Sequence, residues 1–230
     1  MEKIKTIEIN GWVTQVRAPL TGDPERIILM LHGWTGDEQV MWVFANRLPA
    51  DALLVAPRGP YKTPLGGYGW HAHQPRVWPW VDDFLPAIDG LESLLEEEQI
   101  AIYGIAKKGI SVVSIVGFSQ GAALAYAFTM LRPHRVVSVV GLSGFLPEGA
   151  EALARNRPLE GKRVFVAHGA QDELVPVWRA RRAVEVLERA GAQVTYCEDD
   201  VGHRLSADCF NGLEAFFRTN PRKEEKAETR

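Results

Sequence analysis

Ser119 sits at the centre of Gly117-Phe118-Ser119-Gln120-Gly121. Glycines two residues before and two after a serine remove the Cβ atoms that would clash in a sharp turn, so the hydroxyl can be carried at the apex of a strained backbone. A serine hydroxyl is a poor nucleophile near neutral pH and needs a base held by a third group. Of the six histidines, His203 follows Gly202 at the end of a short strand and precedes the last helix, which brings it to the same end of a sheet as Ser119. His71 and His73 are the second choice. His32 and His168 each precede a glycine in a strand-closing turn, where a structural hydrogen bond is the simpler role, and His134 reads as a surface helix end. For the orienting acid, Asp172 lies just past a strand, and the order Ser119, Asp172, His203 is the one expected with this type of turn. Glu173, Asp199 and Asp200 are the alternatives. Two backbone N–H groups must await the oxyanion: that of Gln120, at the positive end of the following helix, and that of Trp34, in the loop after an early strand. Both act through the main chain, so their side chains are expected to be free to vary.

These residues need a scaffold, and the chain supplies alternating strand and helix patterns. Ahead of Ser119 runs Val112-Val113-Ser114-Ile115-Val116, apolar and β-branched; behind it runs Ala122-Ala123-Leu124-Ala125-Tyr126-Ala127, alanine-rich and suited to a helix packed closely on a sheet. That context argues against a chance match in a glycine-rich loop. Residues to about Arg17 read as a hairpin turning at Asn10-Gly11. Continuous apolar runs at 26–31, 52–56, 136–140 and 163–167, with a last strand at 194–197, predict strands buried on both faces. Helices are predicted at about 38–47, with Asp37 as a cap, at 82–98, at about 177–189 and at 206–218. The stretch from Tyr61 to Trp80 is rich in Gly, Pro and aromatic residues. It is either a packed wall over one side of the site or an aromatic cluster covering the sheet edge. The pattern as a whole predicts a mostly parallel central sheet with helices on both faces, in one α/β domain over 1–220 followed by a charged, disordered tail over 221–230. Only 22 residues separate Gly141 from Arg163, too few for a large cap domain.

Composition narrows the function. At 230 residues with 46% hydrophobic and 24% charged residues, the chain is an ordinary globular protein, and a net charge of −3 gives no reason to expect nucleic acid. No segment has the length or apolar continuity of a signal peptide or a membrane span, so the expected address is cytoplasmic, with no membrane partner. The two cysteines, Cys197 and Cys209, have no metal spacing and are expected to be ordinary thiols, with a bridge between them as the lesser alternative. No metal or other cofactor is implied. Exposed aromatics such as Trp42 leave a homodimer open without deciding it.

Leu31-His32-Gly33-Trp34, Gly117-Phe118-Ser119-Gln120-Gly121, Leu142-Ser143-Gly144-Phe145-Leu146-Pro147, His168-Gly169-Ala170-Gln171-Asp172 with Val175-Pro176, and Gly202-His203 together resemble the phospholipase/carboxylesterase family of α/β hydrolases, over about residues 27–217. The resemblance implies the α/β-hydrolase fold, a triad of Ser119, Asp172 and His203, and oxyanion donors at Trp34 and Gln120. Gly66-Gly67-Tyr68-Gly69-Trp70 resembles the bacterial esterase branch. The hydrophobic acyl groove of the thioesterases is not recognisable, and Trp34 is bulkier than the leucine often found after the His-Gly pair.

The expected function is therefore hydrolysis of small-molecule carboxylic esters with short- to medium-chain acyl groups, through an acyl-enzyme. Tyr68, Trp70, Phe145, Leu146 and Val175 are the expected substrate contacts, together with the Trp34 side chain. Two other readings stand beside it: a thioesterase for acylated proteins or small thioesters, and a non-catalytic scaffold that binds a ligand, which predicts a missing triad member.

Overall fold

A computed structural model describes residues 4–19, 24, 26–72, 78–96 and 112–218. His73, the Glu97-Glu98 end of the expected 82–98 helix and the charged tail lie outside the described residues. The chain opens with β1 (Lys5–Ile9) and β2 (Trp12–Arg17), an antiparallel hairpin turning through Asn10 and Gly11, both at positive φ. There follow β3 (Arg26–Leu31), β4 (Ala52–Pro57), the short antiparallel pair β5 (Tyr61–Lys62) and β6 (Tyr68–Gly69), β7 (Val113–Phe118), β8 (Val136–Leu142), β9 (Arg163–Gly169) and β10 (Gln193–Asp199). The main sheet has eight strands in the order β1-β2-β4-β3-β7-β8-β9-β10, parallel from β4 to β10.

The central strands β3, β4, β7, β8 and β9 are mostly apolar because both of their faces are covered. Along β3, Ile27, Leu29 and Leu31 enter one core, while Ile28 and Met30 enter the other. The first core is filled by α1 (Leu85–Leu94), α2 (Gln120–Leu131), α3 (Ala150–Ala154) and α4 (Val177–Arg189). The second is filled by a 3-10 helix, Val40–Arg47, and by α5 (Ala207–Arg218). Two predicted helices are thus corrected. The one expected at 38–47 is a 3-10 helix starting at Val40, with the Asp37 carboxylate accepting from Gln39 N–H at 2.8 Å ahead of it. The one expected at 82–98 is a 3-10 turn, Val81–Phe84, leading into α1, which ends at Leu94. Trp42 is not an exposed aromatic either: it is half-buried against the second core, with its indole N–H on Glu38 O at 3.1 Å.

β7 passes into α2 through Ser119 alone. A Cβ on Gly117 would lie 2.2 Å from Gly121 O, and one on Gly121 would lie 2.1 Å from Leu31 O. Neither glycine can be replaced without separating α2 from the ends of β7 and β3. Gly121→Ala is therefore expected to lower stability by about 3 kcal/mol, at the upper end of overpacking costs. Urea denaturation should show it as a lower midpoint with an unchanged slope.

Candidate active site

Ser119 has φ 54° and ψ −116°, a conformation that non-glycine residues rarely occupy. Three backbone contacts hold it there. Its N–H donates to Leu142 O at 2.8 Å, and its carbonyl accepts from Ala122 and Ala123 N–H at 3.0 and 3.2 Å. The side chain thus stands at the head of α2 beside the end of β3, where Gly33 passes so close that a Cβ there would lie 3.2 Å from Ser119 Cβ.

The loops after β9 and β10 supply the other two groups. Asp172 is 6% exposed, and both of its carboxylate oxygens are engaged. Oδ1 accepts from Leu174 and Val175 N–H at 2.9 and 2.8 Å; Oδ2 lies 2.7 Å from His203 Nδ1. A carboxylate in that position accepts a hydrogen bond from Nδ1–H, which leaves the Nε2 lone pair as the acceptor of the ring. The edge of one ring faces the other where His203 meets Phe118, the residue before Ser119, with centroids 5.0 Å apart. The structure thus unites Asp172 with His203 and sets their pair against the residue preceding Ser119. Glu173 is exposed, and Asp199 turns its carboxylate to Asp200 N–H.

The histidines expected to be structural are buried and bonded to the main chain, His32 through both ring nitrogens and His168 through Nε2 alone. His32 is completely buried; Nδ1–H donates to Gly33 O at 2.7 Å, and Nε2 accepts from Gly59 N–H at 2.8 Å. Burial is the largest influence on it and lowers its pKa, so the ring is a neutral staple between the Trp34 loop and the loop after β4. His168 Nε2–H donates to Val175 O at 2.8 Å beneath Asp172, and burial likewise lowers its pKa. His71 is buried, donates to Ala72 O, and stacks on Trp34 with ring centroids 5.9 Å apart. His134 is exposed in the 3-10 turn Pro133–Arg135.

The Trp34 loop is pinned from its other side as well. Glu38, with a side chain 4% exposed, takes both Nε and Nη2 of Arg58, at 2.6 and 2.7 Å; this holds its carboxyl below the ordinary carboxylate range. Arg58 in turn lies over the Tyr68 ring and donates to its hydroxyl at 3.3 Å, while Tyr68 N–H donates to Gly36 O at 2.8 Å. Gln120, as the first residue of α2, has an N–H with no acceptor inside the helix. Its side chain is not free to vary: Oε1 accepts from Trp70 N–H at 2.9 Å, tying the aromatic segment to the base of α2. A contact across 50 residues leaves no local pattern by which to find it.

The aromatic segment divides between the two roles weighed for it. Trp70 is fully buried, donates its indole N–H to His32 O at 2.7 Å, and stacks near Trp12; it supports the Trp34 loop from below. Trp78 faces Phe145 edge-on at 4.8 Å, carries the Arg179 guanidinium 3.6 Å above its ring, and forms a wall on the α2 side. Phe145, Leu146 and Val175 are each 4–5% exposed, so they contribute little open surface. Trp34 and Tyr68 are half-buried. Among the described residues no group of His, Cys, Asp and Glu is arranged to hold a metal ion, and no helix is long and apolar enough to cross a membrane.

A profile of the phospholipase/carboxylesterase family matches residues 16–220. The chain belongs to that family. It is 31% identical to acyl-protein thioesterase 1 of Kluyveromyces lactis over 189 residues, covering 76% of this chain and 82% of that one. It is 27% identical to the esterase YpfH of Escherichia coli, covering 79% and 77%. Its fold superposes on a carboxylesterase from Mesorhizobium loti with a TM-score of 0.77 at 20% identity, over 95% of this chain and all of that one. The Bacillus cereus carboxylesterase gives 0.76 at 21%, over 91% and 95%. The fold is the α/β-hydrolase fold, and the protein is a hydrolase of the carboxylesterase and acyl-protein thioesterase type.

The cysteines are a correction. Cys197 at the end of β10 and Cys209 in α5 are joined by a disulfide, with Cα atoms 5.7 Å apart, rather than standing as two thiols. The spacing of 12 residues carries no motif; β10 and α5 bring the two together. The bridge closes the segment that holds His203, and such bonds persist in oxidising surroundings. Replacing both cysteines by alanine is expected to cost about 3 kcal/mol, from the loop closure it releases, and thermal unfolding of oxidised and substituted protein measures it.

Proposed function

We propose that the protein is a carboxylic ester hydrolase acting on short- to medium-chain acyl esters of small molecules, with Ser119 as nucleophile, His203 as general base and Asp172 as the group that orients it. The observation that carries this reading is the 2.7 Å contact from Asp172 to His203 Nδ1, beside a serine held at positive φ. In the proposed reaction Ser119 Oγ bonds to the substrate carbonyl carbon while its proton passes to His203 Nε2. The main-chain N–H groups of Trp34 and Gln120 receive the oxyanion. The bond to the leaving oxygen then breaks, that oxygen takes the proton from Nε2, and the alcohol departs. Water, deprotonated by the same nitrogen, attacks the acyl-enzyme and releases the acid. Asp172 remains ionised throughout and stabilises the imidazolium that forms.

The likeness to acyl-protein thioesterase 1 of Kluyveromyces lactis supports a second reading, in which the leaving group is a thiol. The half-buried Trp34 beside Ser119, where a smaller residue would leave a deeper groove, favours the ester reading. Ser119→Ala is expected to abolish both hydrolysis of p-nitrophenyl butyrate and labelling by a fluorophosphonate, with the circular dichroism unchanged. Asp172→Asn is expected to lower kcat about 10⁴-fold, as loss of the orienting acid does in a serine triad. Substantial activity in Ser119→Ala would overturn the assignment. Faster turnover of a long-chain thioester than of any ester would replace it with the second reading.

A further inference from the structure

An apolar depression of about 320 Å³ opens to solvent between the Trp34 loop and the 3-10 helix Val40–Arg47. Trp34, Val40, Met41, Val43, Phe44 and Phe118 line it. Met41 and Phe44 are buried in the second core, whereas Val40 and Val43 are 46% and 71% exposed. Exposing two branched apolar side chains on one short helix needs a reason that the core does not supply. Gly33 also lines the depression, and a Cβ there would meet both Ser119 Cβ, at 3.2 Å, and the Phe118 ring, at 3.3 Å. Phe118 in turn packs on His203. The depression therefore adjoins Ser119 through Gly33 and His203 through Phe118, and its Met41, Phe44 and Phe118 belong to the second core, whereas the Trp78–Phe145 wall belongs to the first.

The His203 side has a defined role in the proposed reaction, on which this inference rests. His203 must pass its proton to the departing oxygen, so the alcohol part of the ester lies toward His203 and the acyl part points away. We infer that the depression is the leaving-group subsite and that it selects esters of apolar alcohols. Its size is at the small end of ligand pockets, about 300–1,000 Å³, and its lining side chains from the 3-10 helix are hydrocarbon or thioether. An alkyl chain of several carbons on the alcohol side fits both features. The covalent steps are those given above: the ester C–O bond breaks, the serine ester forms, and the proton removed from Ser119 leaves on the alcohol.

The test is a pair of substrate series on the purified protein, acetates of ethyl to hexyl alcohol and ethyl esters of acetic to hexanoic acid. Linear alcohols beyond ethanol differ little as leaving groups, so the first series reports binding rather than bond strength. The acetates should show kcat/KM rising about three- to fourfold per methylene until the depression is filled, the increment expected for burying a methylene group. All of them share one acetyl-enzyme, so kcat should converge where its hydrolysis limits turnover. Val43→Asp, at the exposed rim, should flatten the rise in the alcohol series while the acyl series keeps its own slope; Val40→Asp should do the same. A flat alcohol series in the unsubstituted protein, or a rise that survives both substitutions, would overturn the inference. Flattening of the acyl series instead would make the depression the acyl subsite and overturn it too. Absence of any ester hydrolysis together with absence of fluorophosphonate labelling would instead overturn the underlying assignment of Ser119.

Discussion

The rest of the site depends on the close approach of three backbones at Ser119. β7 must end, α2 must begin and the end of β3 must pass alongside, all within one residue. The space is available only because positions 117 and 121 lack Cβ atoms, which would otherwise sit 2.2 and 2.1 Å from carbonyl oxygens. Ser119 itself takes a conformation, φ 54°, that disfavours an L-residue by a small but real amount. Two parallel partners of β7 and the fully buried α2 hold it in place. The same crowding brings Gly33 and the Trp34 loop against the serine, so the proposed nucleophile and the proposed oxyanion donors are positioned by one packing solution rather than by separate ones.

Around that point the polar groups are satisfied in a way that keeps each ring in a single state. A buried carboxylate is costly unless its oxygens are engaged, and Asp172 has two backbone donors on one oxygen and His203 on the other. His32 and His168 are kept neutral by burial and spend their protons on backbone carbonyls. His203 alone of the three combines an acidic partner with partial exposure, 18% of its side chain. That difference in surroundings, more than the residue type, separates the proposed base from its buried neighbours. The Glu38–Arg58–Tyr68 chain and the Gln120–Trp70 bond then fasten the Trp34 loop from two sides.

Much of this was legible from local pattern. The hairpin at Asn10-Gly11, the apolar central strands, the turn at Ser119 and the pairing of Asp172 with His203 all follow from residue chemistry and motif order, and that order carries the family. What was not legible depends on contacts between distant segments. Trp70 looks like a site residue in a loop of glycines and aromatics, yet it is buried under His32 because the β5–β6 pair folds it inward. Gln120 was valued for its N–H alone, since nothing near it in the chain announces Trp70. Cys197 and Cys209 meet only after β10 and α5 pack together. Val40 and Val43 fall within the helix predicted at 38–47, and only the 3-10 geometry shows that they stand at the rim of a depression lined by Gly33 and Phe118. Periodicity predicts which face of an element is apolar; it does not say where apolar residues are left uncovered.

The proposed reaction passes through one oxygen, Ser119 Oγ, whose acylation can be observed directly. Incubating the protein with p-nitrophenyl butyrate, quenching with acid at the earliest turnovers and digesting it should give a peptide containing Ser119 that is heavier by one butyryl group, with no other peptide modified. A burst of product accompanied by a butyryl group on a different residue, or turnover with no acylated peptide at any quench time, would contradict it.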